Sequence, residues 1–269
     1  MQWIEAMPGK RESALPPPKL PHVGDPIALF LDLDGTLVPF RERPEDVRVD
    51  DDMLGLLSRL QHLLHGGLAV LTGRDMRDLD RMLKPLRLPA GALHGLQCRD
   101  ASGRVRANLP SAECAGRIER ACAAALATLP GVHLERKGGV AFALHYRGAR
   151  EQANAALAAA EAIARESGGR YRVQAGNCVA ELKPVGADKG DALLTLTQTA
   201  PFRDRRPWML GDDFTDEPAF AMAERLGGLG VVVGGRRPSQ ASHALCSTAQ
   251  ARRWLARLAR HLEREGASA

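Results

Sequence analysis

The chain has 269 residues, 45% of them hydrophobic and 26% charged, which is enough for one core plus a smaller insert and ordinary for a soluble protein. Its net charge of +5 is dispersed and only 4% of residues are aromatic, so nothing in the pattern favours nucleic acid as a partner. No apolar run reaches the roughly 18 residues of a membrane span, which argues against a membrane protein.

Residues 1–24 mix charges with the run Pro16-Pro17-Pro18 and lack the apolar core of a signal peptide, so a flexible tail is expected. Ile27 to Leu33 reads as a buried parallel strand that ends in Asp32-Leu33-Asp34-Gly35-Thr36. Side-chain direction repeats every second residue, so Asp32 and Asp34 point the same way and repel unless a cation sits between them. A hard divalent ion such as Mg²⁺ suits such an all-oxygen site. The plainer alternative is a turn, with Asp-Gly supplying a positive φ and Thr36 a helix cap. A second strand, Leu68 to Leu71, ends in Thr72-Gly73-Arg74, and Leu93-His94-Gly95 follows a third, placing Arg74 and His94 near one mouth.

Between Arg104 and Val185 the pattern changes to helix, two strands, helix, two strands. Helices are expected over Glu113 to Thr128 and Glu151 to Glu166. Strands are expected at Val132 to Leu134, Val140 to His145, Tyr171 to Gln174 and Cys178 to Leu182. Such an α+β layer leaves one sheet face uncovered, a natural lid. Asp188-Lys189-Gly190 then opens a helix to Thr199. A lysine opposes the dipole at a helix start, so it suits an anionic ligand, the alternative being a solvated side chain. A further strand, Pro207 to Leu210, ends in the acidic cluster Gly211-Asp212-Asp213-Phe214-Thr215-Asp216-Glu217, ahead of a helix from Pro218 to Leu226. In an open α/β sheet these strand tips converge on one crevice although they are distant in sequence. Ala249 to Glu265 is amphipathic through Trp254, Leu255, Leu258 and Leu262, and packing on the core is the simplest use of that face. The five cysteines, Cys98, Cys114, Cys122, Cys178 and Cys246, have neither metal-ligand spacing nor an even count for disulfides, which points to a reducing cytoplasm.

Taken in order, Asp32-Leu33-Asp34-Gly35-Thr36, Thr72-Gly73, Lys189 and Gly211-Asp212-Asp213 to Asp216 resemble the four motifs of haloacid-dehalogenase-type phosphatases. Leu144-His145-Tyr146-Arg147, Glu181-Leu182-Lys183-Pro184 and the stretch to Glu217 are similar to the trehalose-6-phosphate phosphatase family, a resemblance running from about Ile27 to Val233. It implies a Rossmann-like α/β haloacid-dehalogenase core over 25–104 and 188–269, with an inserted α+β cap domain over 105–187. It also implies Mg²⁺-dependent hydrolysis of trehalose 6-phosphate through an aspartyl-phosphate. The partner is then a small sugar phosphate, and a cytoplasmic monomer or weak homo-oligomer is expected.

On that resemblance Asp32 is the nucleophile and Asp34 the acid and base, holding a proton for part of the cycle. Thr72 and Lys189 stabilise the transferring group. The metal set is Asp32, Asp34 through its backbone carbonyl, Asp212, and the less certain Asp213 and Asp216, with Asp216 expected one layer out. Gly35 and Gly73 are expected to let backbone approach phosphate, with Arg74 beside them. Glu135, Lys137, His145 and Glu181 match the family's sugar-holding residues, and Leu93-His94-Gly95 matches without an assigned duty. A phosphatase for sucrose phosphate or mannosylglycerate phosphate would keep the same core motifs, and a non-catalytic sugar-phosphate-binding module is the third alternative.

Overall fold

The computed structural model describes residues 15–22, 24–39, 46–176 and 178–266. In chain order its first strands and helices are β1 (Ile27–Leu31), α1 (Asp51–Leu63), β2 (Leu68–Leu71), α2 (Met76–Leu83), β3 (Ala90–Ala92), β4 (Gln97–Arg99) and β5 (Val105–Ala107). An inserted unit follows, made of α3 (Ala112–Ala125), β6 (His133–Lys137), β7 (Ala141–His145), α4 (Ala153–Glu166), β8 (Tyr171–Gly176) and β9 (Val179–Pro184). The chain then returns with α5 (Lys189–Thr197), β10 (Arg206–Gly211), α6 (Glu217–Arg225), β11 (Leu229–Val233), β12 (His243–Leu245) and α7 (Thr248–Gly266).

The larger sheet has the order β12-β11-β10-β1-β2-β3-β4-β5 and is parallel from β12 to β3. All five residues of β1 are buried, which is why they read as an unbroken apolar run rather than an alternating one. Alternate residues serve two layers. Leu29, Leu31, Val70 and Leu210 join the helices α1, α2 and α7, while Ala28, Phe30, Leu71 and Met209 join α5 and α6. The chain passes from β1 outward to β2 on one side and later to β10 on the other, so strand order reverses at β1. A crevice opens at such a reversal, outside the carboxyl ends of the strands.

Two expected boundaries move. Strand β5 pairs antiparallel with β4 on the edge of the larger sheet, so the insert begins after Ala107 and not at residue 105. Residues 15–22 are no loose tail, because the Trp254 indole N–H donates to Pro18 O at 2.9 Å and the Ala244 amide to Pro16 O at 3.0 Å. Residues 1–14 of the expected tail lie outside the described residues. The apolar face of α7 packs as its pattern implies, with Trp254, Leu255 and Leu258 buried and the Trp254 and Trp208 rings 5.9 Å apart. No helix among the described residues is long and apolar enough to cross a membrane.

The inserted unit is a four-stranded antiparallel sheet in the order β6-β7-β9-β8. Phe142, Leu144, Ala180 and Leu182 point to one side and share a core with residues of α3 and α4. Strand alternation sends Glu135, Lys137, His145, Glu181 and Lys183 to the other. That polar face meets the larger unit. At Gly138, in the β6–β7 turn, an added Cβ would lie 2.9 Å from Leu93 and 3.2 Å from Asp75.

Trp254 joins the core to residues 15–22, so Trp254→Ala is expected to cost about 3–5 kcal/mol of stability. Urea unfolding measures it, and an unchanged midpoint would exclude α7 from the cooperative core.

Candidate active site

Four strand or helix ends meet at the reversal point. Asp32 follows β1, Thr72 follows β2, Asp212 follows β10, and Lys189 is the first residue of α5. Asp188 caps α5, accepting from the Gly190 and Asp191 amides, and Asp191 reciprocates, so the helix starts firmly despite a lysine in its first turn. Lys189 turns inward. Its Nζ donates to Asp32 Oδ1 at 2.7 Å and to Asp216 Oδ1 at 2.6 Å, with all three side chains buried.

Asp32, Asp212 and Asp216 offer carboxylate oxygens that all lie within 4.8 Å of one another. Burial, with the neighbouring Asp216 and Asp212 charges, raises the Asp32 pKa well above the usual carboxylate range in spite of Lys189. Burial and Asp216 push Asp212 up to about 7. Burial alone would lower the Lys189 pKa, but the Asp216 and Asp32 carboxylates outweigh it and hold the ammonium charged. Fully ionised, the three carboxylates against one ammonium would leave two negative charges. An oxygen-only donor set with that deficit fits a hard divalent cation, which would relieve the raised carboxylate pKa values.

The remaining expected residues divide. Asp216 Oδ2 accepts from the Asp212 and Asp213 amides at 3.0 and 2.9 Å, so this carboxylate also fixes the loop that carries Asp212. Asp213 does not join the cluster that Asp32, Asp212 and Asp216 form. Its side chain caps the short 3-10 turn Phe214–Asp216 and so is occupied by local backbone. Asp34 is not free either: Arg74 forks onto it, Nε to Oδ2 and Nη2 to Oδ1, both at 2.7 Å. Arg74 also donates to Asp78 at 2.6 Å, so it bridges two acids within the site. Thr72 is buried, and its hydroxyl oxygen accepts from the Arg74 amide at 3.1 Å.

The two glycines make room for side chains of this chain. Gly35 has φ 90, and an added Cβ would lie 2.5 Å from the Asp212 carboxylate carbon. At Gly73 a Cβ would come within 2.7 Å of the His94 ring.

On the polar face of the second sheet, His145 Nε2 and Glu135 Oε2 are 2.7 Å apart, and Lys137 Nζ lies 3.1 Å from Glu181 Oε1. Burial would raise the Glu181 pKa, but Lys137 and then His94 hold it well below the carboxylate range. Lys183, two residues on, shares this face, and burial lowers its pKa to about 8. Sequence reasoning placed Lys183 in a matching fragment without a role, although period-two alternation from Glu181 marks its direction. Arg236 was missed altogether. It donates to the Asp212 and Asp213 carbonyls at 3.0 and 3.2 Å and pairs with Glu217, steadying the acidic loop. It follows β11, so the strand-tip rule, applied once more, would have found it.

A family model described as trehalose-phosphatase matches residues 30–249. The chain is 40% identical over 236 residues to the trehalose-6-phosphate phosphatase of Escherichia coli, covering 87% of each. Among solved structures, a trehalose-6-phosphate phosphatase related protein superposes with a TM-score of 0.71 at 27% identity, covering 86% of this chain and 96% of that one. A haloacid dehalogenase-like hydrolase from Bacteroides thetaiotaomicron shares the fold at 15% identity and a TM-score of 0.64, covering 86% of this chain and 99% of that one. Sheet order, strand-tip carboxylates and inserted second sheet thus define the haloacid-dehalogenase-like fold class. Within that class, the chain belongs to the trehalose-phosphatase family.

Because Gly35 combines a left-handed backbone with contact against Asp212, Gly35→Ala is expected to cost about 1–3 kcal/mol. Chemical denaturation reads the cost, and a variant as stable as wild type would remove the steric argument.

Proposed function

We propose that the chain is a Mg²⁺-dependent phosphatase that hydrolyses trehalose 6-phosphate to trehalose and phosphate, with Asp32 as nucleophile. The observation that carries this reading is the buried Asp32–Lys189–Asp216 cluster at the strand reversal, lying beneath a sheet face of Glu135, Lys137, His145 and Glu181.

An Asp32 oxygen attacks phosphorus while the bond to the sugar oxygen breaks, and Asp34 gives that oxygen its proton. Water then attacks the aspartyl-phosphate, Asp34 takes back a proton, and the Asp32–phosphorus link breaks to release phosphate. One residue thus serves as acid in the first half and base in the second. Asp32 and Asp212 would hold the metal, with the Asp34 carbonyl, while Asp216 fixes their loop and Lys189. Bound Mg²⁺ supplies neutralisation of the charge developing on the phosphoryl oxygens. Lys189 and the Thr72 hydroxyl stabilise the same oxygens from fixed positions. Arg74 orients Asp34, and its fork must yield one carboxylate oxygen for Asp34 to reach the leaving group.

The inserted unit, in this reading, is the cap. Its polar face gives hydroxyl-rich sugar the partners it needs, and it excludes water from a charged site. The paired Asp32 and Asp34 favour catalysis over a sugar-phosphate-binding module, since binding alone has no use for a nucleophile and an acid. An odd count of five cysteines fits the cytoplasmic setting expected from sequence.

Phosphate release from trehalose 6-phosphate, sucrose phosphate, mannosylglycerate phosphate and glucose 6-phosphate, with Mg²⁺ or with chelator, tests substrate and metal together. Trehalose 6-phosphate is expected to be turned over best, and chelation to stop turnover until Mg²⁺ is restored. Equal rates across the panel would defeat the trehalose assignment. Asp32→Asn is expected to abolish release, by about 10³-fold or more, with an unchanged melting profile; retained turnover removes Asp32 from its role. Glu181→Gln should lower kcat/KM for trehalose 6-phosphate by about tenfold or more while affecting p-nitrophenyl phosphate far less. Parallel losses on both substrates would take the cap out of sugar recognition.

A further inference from the structure

His94 lies in the 3-10 turn Leu93–Gly95 that follows β3, on the floor of the seam between the two units. Both Leu93 and His94 have left-handed backbones, φ 49 and φ 55, a conformation that is costly for a bulky residue. Two bonds hold the turn in place: the Leu93 amide donates to Arg74 O at 2.9 Å and the His94 amide to Thr72 O at 3.0 Å. The ring is therefore mounted on the loop that carries the Thr72 hydroxyl. Gly73 is the residue it lies against, at a distance that leaves no space for a Cβ.

Nothing in the fold satisfies the ring. His94 is 7% exposed, and neither Nδ1 nor Nε2 has a hydrogen-bond partner. Across the seam, Glu181 Oε1 is likewise buried, 3.5 Å from His94 Nε2, and Lys137 Nζ lies 3.1 Å from it as an ion pair. Leaving a buried ring unpaired is costly, so strain and desolvation are concentrated at one point. Packing does not account for the arrangement, because an apolar side chain would fill the same space without the penalty. The two atoms sit between the residues assigned to the phosphate and those assigned to the sugar. A hydroxyl both donates and accepts, so one placed between a carboxylate oxygen and an imidazole N–H satisfies both.

We propose that His94 is a specificity-determining residue. Its imidazole, fixed to the phosphate-side loop, and the Glu181 carboxylate, fixed to the second sheet, together hold one hydroxyl of the phosphorylated sugar. Distance from phosphorus to that hydroxyl is then read by two units at once, and the seam closes productively only on an ester with a hydroxyl at that reach. A phosphate ester lacking it leaves the buried His94 ring unpaired.

The inference rests on the sugar-phosphatase reading, and one experiment separates their failures. Wild type, His94→Asn and His94→Gln are assayed on the best-used sugar phosphate of the panel and on p-nitrophenyl phosphate, with thermal melts. Asparagine tolerates the left-handed backbone but is too short to replace Nε2, whereas glutamine carries an amide N–H further out. His94→Asn is expected to lower kcat/KM for the sugar phosphate about 10- to 100-fold, with the loss on p-nitrophenyl phosphate at least about tenfold smaller. His94→Gln is expected to regain part of the lost discrimination. Equal losses on both esters, or an unchanged sugar-phosphate rate, would overturn the role of His94. A wild type that prefers another sugar phosphate to trehalose 6-phosphate overturns the substrate assignment alone, since the comparison between variants then runs on that sugar phosphate.

Discussion

Lys189 is held between Asp32 and Asp216, and the geometry of the site depends on that buried contact. It joins three elements that are remote in sequence: the end of β1, the start of α5 and the loop after β10. Each charge would be costly alone in this interior, and removing one partner of such a set leaves the others uncompensated. The ammonium therefore sets where the nucleophile sits. Through Asp216, it also sets the loop that presents Asp212, because the same carboxylate accepts from two backbone amides there. Steric fit reinforces this placement. Gly190 lies so close to Pro218 O that an added Cβ would be 2.6 Å away, so α5 and α6 approach as backbones.

The charge at the site is organised in two compartments. One holds Asp32, Asp212, Asp216 and Lys189, and the other pairs Asp34 with Arg74, itself shared with Asp78. Separating two carboxylates only two residues apart in this way gives them different environments and so different chemical duties. The second sheet adds a third group of charges, in which Lys137 and Glu181 face the core from above. Contact between that face and the turn at Leu93 and His94 couples sugar-side groups to phosphate-side groups without any covalent link near the site.

The strand tips were legible because burial on both faces makes apolar runs conspicuous, and a carboxylate that ends such a run stands out. Asp32, Thr72 and Asp212 were reached in this way and Lys189 as a cation at a helix start, whereas Glu135, Lys137, His145 and Glu181 came from the resemblance to the family. Asp213 was not separable from Asp216 by sequence, since both lie in one acidic loop. Their difference arises from a turn that points one carboxylate at Lys189 and uses the other as a cap. Residues 15–22 were read as tail because nothing local says that a proline-rich segment lies along α7. Its anchors are backbone carbonyls that accept from Trp254 and the Ala244 amide, and backbone acceptors carry no sequence signature.

Local patterns alone determined the alternating α/β order, the insertion of a second α+β unit and the residue types available at each strand end, because periodicity and burial act within a few residues. Only the tertiary structure decided which carboxylates share an oxygen cluster, that Arg74 takes Asp34, and that His94 and Glu181 meet across the seam. Those outcomes depend on distances between segments tens of residues apart, where desolvation and charge are settled by what each group faces rather than by what precedes it in the chain.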